Sequence, residues 1–147
     1  MAVRPIPEGH NSVSPYLIVQ GAGKPIDFAK ATFDAKELHR SAWPDGTVQH
    51  AEVRIGDSIV MIAEATPDFR PTPGMIHVYV NDVDATYKRA LQAGATSMRE
   101  PAHQFYGDRN AGVKDAFGNQ WWIATHTEDV SPEEMARREK ATSKEPH

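Results

Sequence analysis

Two halves of this chain carry the same order of predicted secondary-structure elements, and this repeat constrains the fold more than any single motif. An apolar, β-branched segment at residues 17–19 recurs at residues 78–80, an offset of 61. A turn and strand that begin near residue 55 recur from residue 117 at nearly the same offset. Identity between the halves is low, so the repeat depends on a shared order of one strand, one amphipathic helix and three further strands. The sequence predicts an α+β fold made of two βαβββ modules.

The module boundaries follow from the linker between them. Residues 66–74 contain three prolines and a final glycine with few apolar residues, a composition typical of a connection. The modules are therefore expected at about residues 12–65 and 75–127. Both belong to one predicted domain, residues 1–130.

Helix boundaries are marked by residues with known capping preferences. Lys24-Pro25 opens the first predicted helix, because proline is tolerated in a first helical turn. Asp82 is the predicted N-cap of the second helix, and Gly94 is its stop signal. Ser131-Pro132-Glu133-Glu134 has the pattern of a capping box. Residues 131–147 are therefore expected to form a C-terminal helix, to about residue 140, followed by a frayed tail.

Composition excludes several classes of function. The net charge of -4, with scattered basic residues, argues against nucleic acid and anionic membranes as partners. No apolar run is long enough to span a bilayer, and residues 1–10 lack a secretory core, so a cytoplasmic location is expected. The absence of cysteine excludes disulfides, thiolate nucleophiles and thiolate-bound zinc.

Several segments, in this order and spacing, resemble the glyoxalase-like and bleomycin-resistance branch of the vicinal-oxygen-chelate (VOC) superfamily. The resemblance covers roughly residues 12–128. It implies two modules whose curved sheets form a cup, with helices on the outer faces and the site inside, and it implies a homodimer. The segments are Pro25-Ile26-Asp27-Phe28, His50-Ala51-Glu52-Val53-Arg54-Ile55-Gly56-Asp57, His77-Val78-Tyr79-Val80-Asn81-Asp82-Val83-Asp84-Ala85, Gln104-Phe105-Tyr106-Gly107-Asp108-Arg109 and Asp115-Ala116-Phe117-Gly118.

The resemblance also implies four positions at which many members hold a divalent metal. In this sequence those positions carry Ser14, Met61, Met75 and Trp122. None is a good ligand for a hard or borderline divalent ion, which prefers carboxylate or imidazole. We therefore expect neither a metal nor another cofactor, and expect the chain to bind a small, partly aromatic molecule, as the drug-binding members do.

Strand alternation identifies the candidate site residues independently. The side chains of Ala51, Val53 and Ile55 form an apolar face suited to a helix-covered core, so His50 and Glu52 point the other way, into the cavity or into solvent. By the same parity and by loop position, the candidate ligand-binding residues are Tyr16, His50, Met61, Tyr79, Tyr106, Arg109 and Trp122.

Each candidate also has a structural interpretation. His50 and Glu52 could form a solvated pair, and His77, on a presumed central strand, could be a satisfied structural histidine. Arg109 is expected in a loop over the cup, binding an anionic or planar group or pairing with Asp108. Met61 and Trp122 could be core residues, and Trp43 a packing or dimer contact.

Two catalytic alternatives remain open from sequence. His50, Glu52 and His77 could together hold a relocated zinc or iron ion in a lyase or dioxygenase. Alternatively, His77 or Glu52 could act as a general base without metal.

Overall fold

The computed structural model describes residues 3–142. Its eight strands and three helices follow the predicted order. The elements are β1 Tyr16–Val19, α1 Gly23–Phe33, β2 Lys36–Ala42, β3 Val48–Ile55, β4 Ser58–Glu64, β5 Met75–Tyr79, α2 Val83–Gln92, β6 Thr96–His103, β7 Asp108–Lys114, β8 Gln120–His126 and α3 Pro132–Ala141.

The strands form two mixed four-stranded sheets with matching topology. The order is β1-β4-β3-β2 in the first sheet and β5-β8-β7-β6 in the second. The two parallel pairs share one register. Tyr16 lies opposite Met61 in the first sheet, and the residues 61 positions later, His77 and Trp122, lie opposite each other in the second. The predicted repeat of two βαβββ modules is therefore confirmed.

One apolar core joins α1 and α2 to both sheets. Inward-facing residues such as Leu17, Val53 and Ile123 are almost fully buried. Trp121 of the second sheet contacts Phe28 and Phe33 of α1, with ring centroids 5.9 and 5.2 Å apart. Each fully buried aliphatic side chain contributes on the order of 1.5–3 kcal/mol. The opposite side of each sheet has no helix among the described residues, and we call it the open face.

The predicted caps of two helices are present. The Asp82 carboxylate accepts the Ala85 N–H at 3.1 Å, and the Ser131 hydroxyl oxygen accepts the Glu134 N–H at 3.2 Å. Gly94 follows α2 with a φ of 103°, a conformation that glycine adopts without strain. The predicted tail falls largely on residues 143–147, outside the described residues.

The second half of module two differs from its predicted boundaries. The sequence predicts strands near residues 96–99 and 112–115, but in the structure β6 extends to His103 and β7 begins at Asp108. Pro101 interrupts the pattern of β6, but β6 is an edge strand with an irregular register, where proline is tolerated. In the part of the chain that the structure describes, no helix is long and apolar enough to cross a membrane.

Candidate functional site

A cavity of about 530 Å³ lies on the open face of the first sheet. The floor of the cavity includes Tyr16 and Ile18 of β1 and Ala63 of β4, which are register partners or near neighbours. The remaining lining comes from the β2–β3 turn, β3, the end of β4 and the linker. Those residues are Trp43, Gln49, Glu64, Thr66, Phe69 and Thr72.

The linker is folded against the first sheet and supplies one wall of this cavity. The Thr72 N–H donates to the Ile18 carbonyl oxygen at 2.9 Å, which attaches the linker to β1. Further back, the Phe69 N–H donates to the carbonyl and hydroxyl oxygens of Thr66, both at 3.1 Å. This turn holds the Phe69 ring beside the sheet. The linker is therefore part of the site and not merely a connection.

Three aromatic side chains surround the cavity and are still accessible. Tyr16, Trp43 and Phe69 are 47%, 41% and 65% exposed. Trp43 is fixed by the β2–β3 turn, in which its N–H donates to the Thr47 carbonyl and its carbonyl accepts the Gly46 N–H, both at 2.9 Å. Exposed aromatic rings around a hollow are typical of small-molecule sites.

The charge of the lining limits what the cavity can bind. Among the described lining residues there is no lysine or arginine, and Glu64 is the charged residue. The Glu64 carboxylate accepts the N–H groups of Gly21 and Ala22 at 2.7 and 3.2 Å, ahead of α1. This interaction fixes a negative charge at the cavity edge, which favours neutral or positively charged ligands.

A chain of hydrogen bonds extends from the cavity across the open face. Tyr16 Oη lies 3.0 Å from His50 Nδ1, and His50 Nε2 lies 3.0 Å from Glu52 Oε2. The other carboxylate oxygen, Oε1, lies 2.9 Å from His10 Nε2. Hydrogen bonds from His50 and then His10 lower the pKa of the Glu52 carboxyl below its usual value. The alternation argument therefore placed His50 and Glu52 on the open face correctly, and they form one network with Tyr16.

The second sheet has its own polar network, which sequence reasoning missed. Asp108, only 3% exposed, accepts the Tyr79 hydroxyl at 2.7 Å and bonds His126 Nδ1 at 2.8 Å. His126 Nε2 also lies 2.7 Å from Asp129. The bond to Asp108 raises the pKa of Tyr79, and bonds to Asp108 and then Asp129 raise the pKa of His126. The sequence signal that could have revealed this network is the polar run at the start of β7, a segment that was predicted to be a loop.

His77 and Arg109 do not lie where they were predicted. His77 is exposed on β5, an edge strand and not a central one, with its ring centroid 4.8 Å from that of Tyr79. Arg109 belongs to β7 and not to a loop, and its Nε and Nη2 donate to Asp84 of α2 at 2.8 and 2.9 Å. Its hydrogen bond lowers the pKa of Asp84. The guanidinium is thus directed to the helix-covered side, because its strand neighbour Ala111 faces the core.

Tyr106, the remaining loop candidate, lies beside β7. Its hydroxyl accepts the side-chain N–H of Asn110 at 2.8 Å, and its ring contacts Phe105 edge-on at 5.2 Å between centroids. Tyr106 does not line the first-sheet cavity. The predicted ligand-binding residues therefore divide between the two sheets. Tyr16 lines the cavity of the first sheet, and His50 is hydrogen-bonded to Tyr16.

The family-level comparison agrees with this architecture. The sequence model of the Glyoxalase/Bleomycin resistance protein/Dioxygenase superfamily matches residues 11–123. The chain belongs to this superfamily. Uncharacterized proteins of Mycobacterium bovis and Mycobacterium tuberculosis are 38% identical over 135 residues, and the matches cover 84% of this chain and 89% and 79% of theirs, respectively.

Solved structures of proteins with low sequence identity to this chain share its fold. TioX from Micromonospora sp. ML1 superimposes with a TM-score of 0.67 at 24% identity, covering 79% of this chain and 98% of that one. Fosfomycin resistance protein FosX from Mesorhizobium loti gives a TM-score of 0.59 at 19% identity, covering 80% and 92%. At these identities the likeness establishes the fold.

The four metal positions that the superfamily implies do not suit a divalent cation here. Met75 is 69% exposed and Met61 offers only a thioether. The Trp122 indole N–H donates to Gln120 at 3.2 Å, and the Arg99 guanidinium carbon lies 5.0 Å from the Trp122 ring centroid. A guanidinium over this position repels a second cation.

The relocated metal site is not assembled either. His50 and Glu52 lie on β3 of the first sheet, whereas His77 lies on β5 of the second. Within residues 3–142, no three histidine, aspartate or glutamate side chains form a metal-binding group. The prediction that His50, Glu52 and His77 could share an ion is therefore wrong, because strand order separates them.

Proposed function

We propose that this protein binds a small, partly aromatic molecule, neutral or positively charged, in the cavity of the first sheet without a divalent metal. The observation that carries the proposal is the combination of Tyr16, Trp43 and Phe69 around a hollow of about 530 Å³. That volume falls within the range of roughly 300–1,000 Å³ that small-molecule sites occupy.

The aromatic rings and the nearby carboxylate favour the same ligands. A cation over an exposed aromatic face gains about 0.5–1 kcal/mol, and more where water is excluded. Glu64 adds attraction for a cation and repulsion for an anion. A planar neutral ring gains stacking with the same side chains.

The wider setting of this function remains a prediction. The superfamily resemblance implies a homodimer, and the cysteine-free composition suits the reducing cytoplasm. Among the predicted site residues, Tyr16 lines this cavity. Met61 of β4 is the register partner of Tyr16, and His50 is hydrogen-bonded to the Tyr16 hydroxyl. We assign Arg109 no part in the site, because its charge is paired with Asp84.

Isothermal titration calorimetry tests the proposal, because it needs no optical probe and applies unchanged to variants of Trp43. In the presence of EDTA, indole and N-methylquinolinium are expected to give saturable heats of binding, and benzoate is expected to bind much more weakly. Substitution Trp43→Ala should weaken binding about tenfold, since loss of one aromatic contact is worth on the order of 1.4 kcal/mol.

The matched control is Met98→Ala, which removes a similarly exposed apolar side chain from β6 of the other sheet. It should leave both affinities unchanged. Preferred binding of benzoate, or binding that requires added zinc or manganese, would contradict the proposal.

A further inference from the structure

The hydrogen-bonded chain at the cavity wall has the arrangement of a proton relay. We propose that Tyr16, His50 and Glu52 form this relay, and that Tyr16 is the catalytic acid–base in a metal-free keto–enol tautomerisation of a neutral aromatic ketone. The inference rests on the proposed binding function of the cavity, because Tyr16 both lines the cavity and ends the relay.

Glu52 sets the direction of the relay. A carboxylate only accepts hydrogen bonds, so the neutral His50 ring must carry its hydrogen on Nε2, 3.0 Å from Glu52. Nδ1 of His50 is then an acceptor, and the Tyr16 hydroxyl donates to it at 3.0 Å. His10 occupies the second oxygen of Glu52 at 2.9 Å and holds the carboxylate in place. Glu52 is thus a positioning residue whose charge stabilises an imidazolium at His50.

The reaction balances without a co-reactant. Tyr16 Oη takes a proton from the carbon next to the carbonyl while its own proton passes to His50 Nδ1. The C–H electron pair becomes the C=C bond, and the carbonyl π pair moves to oxygen. His50 then returns its proton to Tyr16, which protonates the enolate oxygen. The products are the enol and the original protein, so only the position of one hydrogen and one double bond has changed.

Other described groups are less suited to be the base. Each oxygen of Glu52 already bonds a histidine, and Glu52 does not line the cavity, so it does not reach substrate there. His77 lies on the second sheet against Tyr79 and does not line the cavity. Tyr16 is the one member of the relay that is on the lining, and it is half exposed.

The cavity lining also defines the substrate class. Since its described residues include no lysine or arginine to pair with a carboxylate, a neutral ketone fits better than a 2-oxo acid. Gln49 lines the same cavity, and its side-chain amide carries N–H groups of the kind that bind a ketone oxygen. The aromatic rings would hold the apolar part of the molecule.

Deuterium exchange tests the relay directly. Neutral ketones with acidic C–H bonds, beginning with 2-tetralone and 4-phenyl-2-butanone, are incubated with the protein in D₂O, and loss of the proton signal beside the carbonyl is followed by NMR. Wild-type protein should accelerate exchange above the buffer rate. Tyr16→Phe should lower that acceleration at least about 100-fold, the typical contribution of a general acid–base, while ketone affinity changes less than about twofold.

Two further variants separate a relay from a merely structural role. Glu52→Gln keeps the shape but removes the charge, so kcat should fall while KM stays nearly constant; His50→Gln should act like Tyr16→Phe and replaces it if that variant does not fold. Tyr87→Phe is the matched control, because it removes a phenol hydroxyl bonded to Ser97, far from the relay. It should exchange at the wild-type rate.

The outcomes distinguish the two proposals. If neither the ketones nor indole nor N-methylquinolinium binds in calorimetry, the binding function fails and the relay fails with it. If only the ketones fail to bind, the relay is wrong and the binding function stands. If ketones bind but exchange no faster than in buffer, or if Tyr16→Phe exchanges as fast as wild type, the relay is wrong and binding stands.

Discussion

Asp115 is the residue whose loss we expect to damage the fold most per atom removed. Its carboxylate accepts the N–H groups of Phe117 and Asn119 at 2.9 Å each, the Asn119 side-chain amide at 3.1 Å and the Trp121 indole N–H at 3.0 Å. Asn119 and Trp121 are essentially fully buried. Asp115→Ala therefore leaves three buried donors without this acceptor.

The expected loss follows from those donors. A buried polar group left unsatisfied costs about 1–3 kcal/mol, so three such groups give about 3–9 kcal/mol as a simple sum. Local relaxation reduces this sum, and we expect a fall of about 3–5 kcal/mol in the free energy of unfolding. That is a large part of the roughly 5–15 kcal/mol of a typical domain. Urea unfolding, followed by circular dichroism, should show a lower midpoint with an unchanged slope.

The first module supplies a matched control. Asp57 occupies the corresponding β3–β4 turn but is exposed, and its carboxylate accepts the Ser58 hydroxyl at 2.9 Å. Asp57→Ala should change stability by less than about 0.5 kcal/mol. Equal losses for the two variants would refute the reasoning from buried donors.

Two further predictions concern the second sheet. A Cβ at Gly112 would lie 2.6 Å from the Trp122 ring, so Gly112→Ala should cost about 1–3 kcal/mol in chemical unfolding, and the same substitution in a Trp122→Ala background should cost little. Hydrogen bonds to Asp108 and then Asp129 raise the pKa of His126 above its ordinary 6.5. Protonated His126 therefore stabilises the fold; this stabilisation is fully present below pH 6.5 and is lost as pH rises through the raised pKa. Thermal unfolding across this window should therefore be less pH-dependent in His126→Gln, and an identical pH profile for this variant would contradict the assignment.

Much of the fold could be predicted from local signals. Strand alternation directed Ala51, Val53 and Ile55 of β3 to the core, where they are buried, and the caps at Asp82 and Ser131 located two helix starts. The repeat was recognisable because both modules use the same strand register. The bounds of β6 and β7 were harder to predict, because a proline interrupts β6 and a polar run, Asp108–Asn110, begins β7. The polar side chains of Asp108 and Asn110 form hydrogen bonds with Tyr79 and Gln104, which the local sequence pattern does not reveal.

The candidate site could be predicted only in part. Parity placed Tyr16 and His50 on the open face, but the cavity beside them depends on how the linker folds back. Phe69 lies in a proline-rich segment, and its place beside the sheet follows from backbone bonds that no local pattern reveals. The sequence signal for this role was Phe69 itself, a single large aromatic residue in an otherwise polar, proline-rich linker. Arg109 was misplaced because its partner, Asp84, is 25 residues away in sequence.

An NMR titration of isotope-labelled protein with indole in the presence of EDTA tests the central claim most directly. We predict saturable shifts confined to the first sheet and linker, centred on Ile18, Trp43 and Phe69. Shifts centred on Trp122 and the open face of the second sheet, or no shifts until a divalent metal replaces EDTA, would contradict the assignment of the site.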